Sequence, residues 1–172
     1  MNHYIGYHGT DKTSAERINK SNFSIPYGKI GWLGTGAYFF QENRGMAEYW
    51  AYTKVGMKPK GILRCEISIP KKKVFDATNP LSEENAFFHK VKEGIEKELK
   101  KQKVNVSVAN EKDFDGKTYN LICKQKGYEL VRAFTYTYQE EDRKNKTFSR
   151  VPNGVELCLR NPAYIVKKEL IK

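Results

Sequence analysis

Cysteine is scarce in these 172 residues: Cys65, Cys123 and Cys158 are far apart, odd in number and show no C-x-x-C spacing. A disulfide framework and a thiolate metal centre are therefore poor readings, and a reducing, cytoplasmic setting with no bound metal is the expectation. Also missing is any apolar run long enough to cross a bilayer. The chain opens directly into an alternating stretch, His3 to His8, instead of a basic-then-apolar leader, so no membrane partner is expected. No G-x-x-x-x-G-K-[ST] motif occurs. The Gly-rich stretch from Phe23 to Gly36, with Pro26, Gly28, Gly31 and Gly34, opens no long helix and reads as a loop over a cleft, not a phosphate cradle. Internal repeats and low-complexity segments are absent too. Acidic residues are outnumbered, 20 against 31 Lys and Arg, giving a formal net charge of +11 and a pI near 9.5. That excess attracts polyanions, nucleic acid first among them.

The periodicities predict strands at 3–8, 37–40, 61–69, 128–138, 155–160 and 163–171, with a short continuation at Val74–Asp76. Helices are predicted at 14–20, after Asn43, at 82–103 and at 115–126. Thr13 and Glu16 have the form of a capping box. Met46, Ala47, Trp50 and Ala51 form the inward stripe of the second helix. Phe88, Val91, Ile95 and Leu99 share one face of the third. Tyr119, Ile122 and Cys123 do so in the fourth, which Gly127 closes. Val104–Val108 alternates without a clear partner. Strands outnumber helices and do not alternate regularly with them, which argues for an α+β protein over a doubly wound parallel sheet. The length suits a single domain over 1–172, with a variable helical insertion at about 76–127.

The chain is organised around Gly34–Tyr52. Tyr38 ends an apolar strand and Tyr49 lies on the helix that follows, eleven residues on (49 − 38 = 11). Two such rings can close on a flat ligand, and a cationic one would gain about 0.5–2 kcal/mol from each face. Taken singly, a ring pair at this spacing is more often core, and a histidine at a strand end, such as His8, is more often structural.

Together with Tyr7-His8-Gly9-Thr10, Gly36-Ala37-Tyr38-Phe39-Phe40, Gly61–Pro70 and Gly154-Val155-Glu156-Leu157, the stretch resembles the ADP-ribosyltransferases of the His-Tyr-Glu class. That class includes the catalytic domains of diphtheria toxin and the poly(ADP-ribose) polymerases. The four motifs occur in the family's order through nearly the whole chain, with only a loose match over 74–128. The resemblance implies a split β-sandwich of two mostly antiparallel sheets, flanked by short helices around an NAD cleft. It implies NAD as substrate, held by His8, Gly9, Thr10, Tyr38 and Tyr49. In this reading His8 takes the adenosine-side ribose, Gly9 the carboxamide, and the two tyrosines the nicotinamide ring. Spacing favours Tyr49 over Tyr52 as the second ring. Glu156 binds the ribose 2′-hydroxyl, and Glu156, His8 and Tyr38 form the catalytic set. The chemistry suits these residue types. Nicotinamide in NAD is a flat cation, and breaking its glycosidic bond builds an oxocarbenium-like charge that a fixed carboxylate stabilises. One departure is Met46, where the polymerases carry serine; it favours single transfer over chain elongation.

In this family the loop before the glutamate faces the acceptor. Here it is 139–154, with Arg143, Lys144, Lys146 and Arg150 around Phe148. Cations that track phosphates beside a ring that stacks on a base make a single-strand surface. RNA is therefore the favoured acceptor, DNA or a protein the alternatives. A toxin acting on translation, with an antitoxin as its further partner, is the analogy that fits a small basic transferase. Two competing classes remain open: an RNA 2′-phosphotransferase, against which Glu156 speaks, and a binding module for nucleic acid or ADP-ribose without catalysis.

Overall fold

The computed structural model describes residues 1–25, 28–103 and 111–171. Pro26 and the alternating run Val104–Val108 lie outside the described residues. In chain order the elements are β1 (Asn2–Asp11), α1 (Lys12–Lys20), β2 (Ala37–Gln41), α2 (Arg44–Val55), β3 (Lys60–Ile69), β4 (Val74–Asp76), α3 (Glu83–Lys101), α4 (Glu111–Lys126), β5 (Leu130–Thr135), α5 (Glu140–Asn145), β6 (Gly154–Leu159) and β7 (Ile165–Ile171). The protein is α+β.

Its strands form one seven-stranded sheet in the order β4-β5-β6-β2-β1-β3-β7, antiparallel except for β4 beside β5. Two separate sheets are thus not what the described strands make, although the sheet is nearly divided. β1 pairs with β3 along its whole length, from Asn2–Ile69 to Asp11–Lys60. It meets β2 only at Gly6–Gln41 and Tyr7–Phe40, while β2 pairs with β6 from Ala37 to Phe40. Beyond Tyr7 the two central strands diverge, although β2 runs on to Ala37.

The strand predicted at 61–69 forms β3, and its residues alternate between the two faces of the sheet. Leu63, Cys65, Ile67 and Ile69 are buried on one face, with Phe39, Leu157 and Leu159, beneath Ala15 and Ile18 of α1. The other face carries two clusters. Leu33, Phe75, Phe88, Tyr119, Ile122, Cys123, Val131, Ala133 and Cys158 form one, under α3 and α4. Phe40, Met46, Ala47, Ala51 and Ile62 form the other, under α2.

Several boundaries differ from those predicted. β1 runs through His8 and Gly9 to Asp11, because β3 continues beside it. Asp11, not Thr13, caps α1, its carboxylate accepting from the Ser14 N–H at 2.8 Å. Ser82 caps α3, accepting from Asn85 N at 3.2 Å. α4 starts four residues early, at Glu111, and Gly127 closes it at φ +72°. β5 stops at Thr135, and the following loop holds α5. Three acids open that helix and Arg143 and Lys144 end it, the order that complements the helix dipole. A 3₁₀ turn at Pro162–Tyr164 precedes β7. Trp50 is 41% exposed, so it is not part of the inward stripe of α2.

Gly9 is required by packing. A Cβ there would strike the Ala47 carbonyl oxygen of α2. Gly9→Ala should force α2 off the sheet and lower stability by about 1–3 kcal/mol, read by urea unfolding, with the secondary structure retained.

Candidate functional site

The register builds the site. Tyr7 opposes Phe40, Phe40 opposes Glu156, and Glu156 opposes Ala133. Since residues paired in register leave the sheet on the same side, these four form one cross-strand row. Tyr38 and Cys158 stand opposite one another in the next row of the same face. Tyr38 borders the cluster under α3 and α4, whereas Phe40 belongs to the cluster under α2. The divide between the two clusters therefore crosses β2 between Tyr38 and Phe40, with Glu156 beside Phe40.

A short turn closes over this divide. Gly31 and Gly34 exchange backbone hydrogen bonds of 3.1 and 2.9 Å, which makes Trp32 and Leu33 the tip. The Tyr38 hydroxyl accepts from Leu33 N at 2.9 Å and donates to Gly34 O at 2.7 Å. Burial, with the Cys158 thiol close by, pushes the pKa of this phenol far up, so it stays protonated as a donor. Trp32 donates its indole N–H to Glu156 Oε2 at 2.9 Å. Arg160 Nη2 donates to Leu33 O and to Asn120 Oδ1, both at 3.1 Å. Asn120 Oδ1 also accepts from Thr35 N at 2.8 Å.

His8 is placed differently. By alternation it leaves β1 on the face opposite Tyr7 and Gly9, where its ring meets Phe23 and Phe39 edge-on at 5.1 and 5.9 Å. Its link to the site is the 2.8 Å bond between Nδ1 and the Tyr38 carbonyl, which spans the gap where β1 and β2 part. That bond makes Nδ1 the protonated nitrogen in the neutral ring, leaving Nε2 as an acceptor. Burial lowers the imidazole pKa and the Tyr38 carbonyl opposes that shift only in part. Thr10 follows Gly9 on β1, opposite Gly61, beyond the last pairing with β2.

Tyr38 and Tyr49 do not share a cluster. Tyr49 packs with Tyr7 against the group under α2, and Met46, at the position of the polymerase serine, is buried in that group. Strand, helix and spacing are as expected. The Tyr38 hydroxyl, however, is committed to the Leu33–Gly34 turn.

The predicted acceptor residues fall on and after α5. Arg143 lies over the Tyr138 ring at 5.8 Å, and Lys144 pairs with Glu140 at 2.8 Å. Lys146 holds a left-handed conformation, and Arg150 is exposed. Phe148, 59% exposed, meets Tyr138 edge-on at 5.2 Å, and Tyr138 meets Tyr136 at 5.3 Å. The single aromatic read from sequence is thus one of three. A shallow depression of about 360 Å³ is lined by Gln41, Glu42, Asn43, Phe134, Pro152, Gly154 and Val155, and by none of the predicted acceptor residues. Sequence reading missed Trp32, whose signal was its place between two glycines in the 23–36 loop, and also the two tyrosines after β5. Among the described residues no His, Cys, Asp and Glu cluster could hold a metal, and no helix is long and apolar enough to cross a membrane.

No family model matches the chain. It is similar to a protein of Methanocaldococcus jannaschii named Uncharacterized protein MJ0359, 28% identical over 192 residues that cover 95% of this chain and 85% of that one.

The lowered His8 pKa has a consequence for stability. Below pH about 6.5 the unfolded chain binds a proton that folded His8 resists, so stability should fall as the pH drops through that value. It should level off only below the folded-state pKa. Urea midpoints at pH 7 and pH 5 should show the drop, and His8→Asn should lose that share of it.

Proposed function

We propose that the chain is an NAD-dependent mono-ADP-ribosyltransferase of the His-Tyr-Glu class, with the family's NAD cleft at the divide that crosses β2. The observation that carries this reading is the site of Glu156. It stands in one row with Phe40 and Tyr7, beside Tyr38, at the divide between the two clusters, with its carboxylate held by an indole N–H. Of the motifs that resemble the family, Tyr7, Tyr38, Phe40 and Glu156 share this face, while His8 leaves β1 on the other.

The reaction runs as follows. The bond between the ribose C1′ and the nicotinamide nitrogen breaks, and the electron pair leaves with neutral nicotinamide. The oxocarbenium-like charge on the ribose is stabilised by Glu156, which also orients the 2′-hydroxyl. A nucleophilic atom of the acceptor bonds to C1′ and releases its proton. Tyr38 and Tyr49 flank the nicotinamide ring, Gly9 offers backbone groups on the edge of β1 that β2 leaves, with Thr10 next to it, and His8 acts from the opposite face by setting the Tyr38 backbone.

The acceptor we favour is RNA, with DNA as a variant of the same chemistry. The support is the net charge of +11 and the three rings Tyr136, Tyr138 and Phe148 beside Arg143, Lys146 and Arg150. Glu140, Glu141 and Asp142 make the same surface mixed in charge, which favours a protein acceptor as the second reading. A toxin acting on translation in the cytoplasm, silenced by an antitoxin, is the setting that this reaction suits.

With NAD labelled on its adenylate, label should move into RNA before DNA or cell protein. Glu156→Gln should lower the rate by about 10²–10³ while the far-UV spectrum is kept. Label entering only protein would move the acceptor to the second reading. Intact NAD with every pool would overturn the transferase.

A further inference from the structure

We infer that Trp32 is a positioning residue for Glu156, a role that rests on the transferase reading given above. Glu156 and Trp32 are 124 residues apart in the chain, yet the indole N–H meets Oε2 at 2.9 Å. An indole nitrogen can only donate, and a carboxylate can only accept, so the pair has one sense. A glutamate on a strand has three side-chain torsions. It stabilises a developing positive charge only if its oxygens are already in place when the charge appears, and that takes a donor that is itself fixed.

The turn that carries Trp32 is fixed from several directions. Its ends are tied by the reciprocal Gly31–Gly34 bonds. Leu33 is held on its N–H by the Tyr38 hydroxyl and on its carbonyl by Arg160. Thr35 is held by Asn120 of α4. Steric fit adds to this. A Cβ on Gly31 would strike the Tyr38 hydroxyl, and one on Gly116 of α4 would strike the Gly31 carbonyl. Two elements of the site face, β2 and α4, thus converge on a four-residue turn whose side chain reaches Glu156. A turn that served only to cover the core needs Leu33, which is fully buried, but does not need an indole aimed at the carboxylate.

The alternative is that Glu156 merely satisfies a half-buried indole. Kinetics separate the two, because a residue that acts through Glu156 has no effect once Glu156 is gone. Trp32→Phe should lower kcat for ADP-ribose transfer by about tenfold to a hundredfold, the worth of a hydrogen bond to a charged group. KM for NAD should stay nearly unchanged. In the Glu156→Gln background the same substitution should cost no further activity. Benzothienylalanine at position 32 keeps the bicyclic shape without the N–H and should behave like Trp32→Phe, whereas 7-azatryptophan keeps the N–H and should restore the rate. A parental kcat in Trp32→Phe, or an equal loss in both backgrounds, would overturn the role.

A second measurement needs no turnover. The ¹H–¹⁵N indole signal of Trp32 in the free protein should move on Glu156→Gln. An unmoved signal overturns the contact whatever the activity. A parent protein without NAD turnover overturns the transferase and the catalytic role with it, while the indole signal still decides whether Trp32 holds Glu156.

Discussion

The site depends on one phenol. The Tyr38 hydroxyl is buried, stays protonated, and serves as acceptor and donor at once for two consecutive residues of the 31–35 turn. Through it the turn is tied to β2, and through β2 to β6 and Glu156. The backbone of the same residue does a second task, since its carbonyl receives His8 from β1 across the gap in the sheet. Tyr38 therefore ties the turn, β1 and β2 together, beside the direct bonds that Trp32 and Arg160 make between the turn and the β6 segment. Its neighbour Cys158, also buried and with its pKa pushed up to about 11, fills the floor beneath without ionising.

The nearly divided sheet gives this joint its purpose. A strand fully paired on both sides has no backbone group to offer a ligand, since each N–H and C=O is used in a ladder. β1 is paired with β3 throughout but leaves β2 after Tyr7, so His8 to Asp11 present one edge towards the opening. Two apolar clusters, one under α2 and one under α3 and α4, hold the two sides of that opening in place. The apolar packing lies in these two clusters, and the polar groups stand at their margin.

Much of this could be read from sequence, where the signal is local. The period-two alternation of β3 and the opposition of Glu156 and Cys158 to Leu157 and Leu159 needed only the strand repeat. The Ser82 cap and the Gly127 stop were visible because capping chemistry is short-range. Asp11 was missed as a cap since the strand was ended at His8, and only pairing with β3 carries it further. The helix at Glu140–Asn145 has no apolar stripe and forms through end charges, which periodicity does not register. The union of all strands in one sheet turns on two residue pairs between β1 and β2, a register no local pattern encodes. Trp32 on Glu156 is a contact across 124 residues and left no trace beyond a pair of bracketing glycines.

The helical segment between β4 and β5 reads in sequence as a variable insertion, yet α4 reaches the centre of the molecule. Asn120 joins Thr35 and Arg160, and Gly116 leaves room for nothing larger beside Gly31. The helix is thus a template on which the turn is moulded. Swapping this segment for a foreign one would hand the turn a mismatched mould: a change in the helix surface calls for an answering change in the turn, whatever happens to the strands between them.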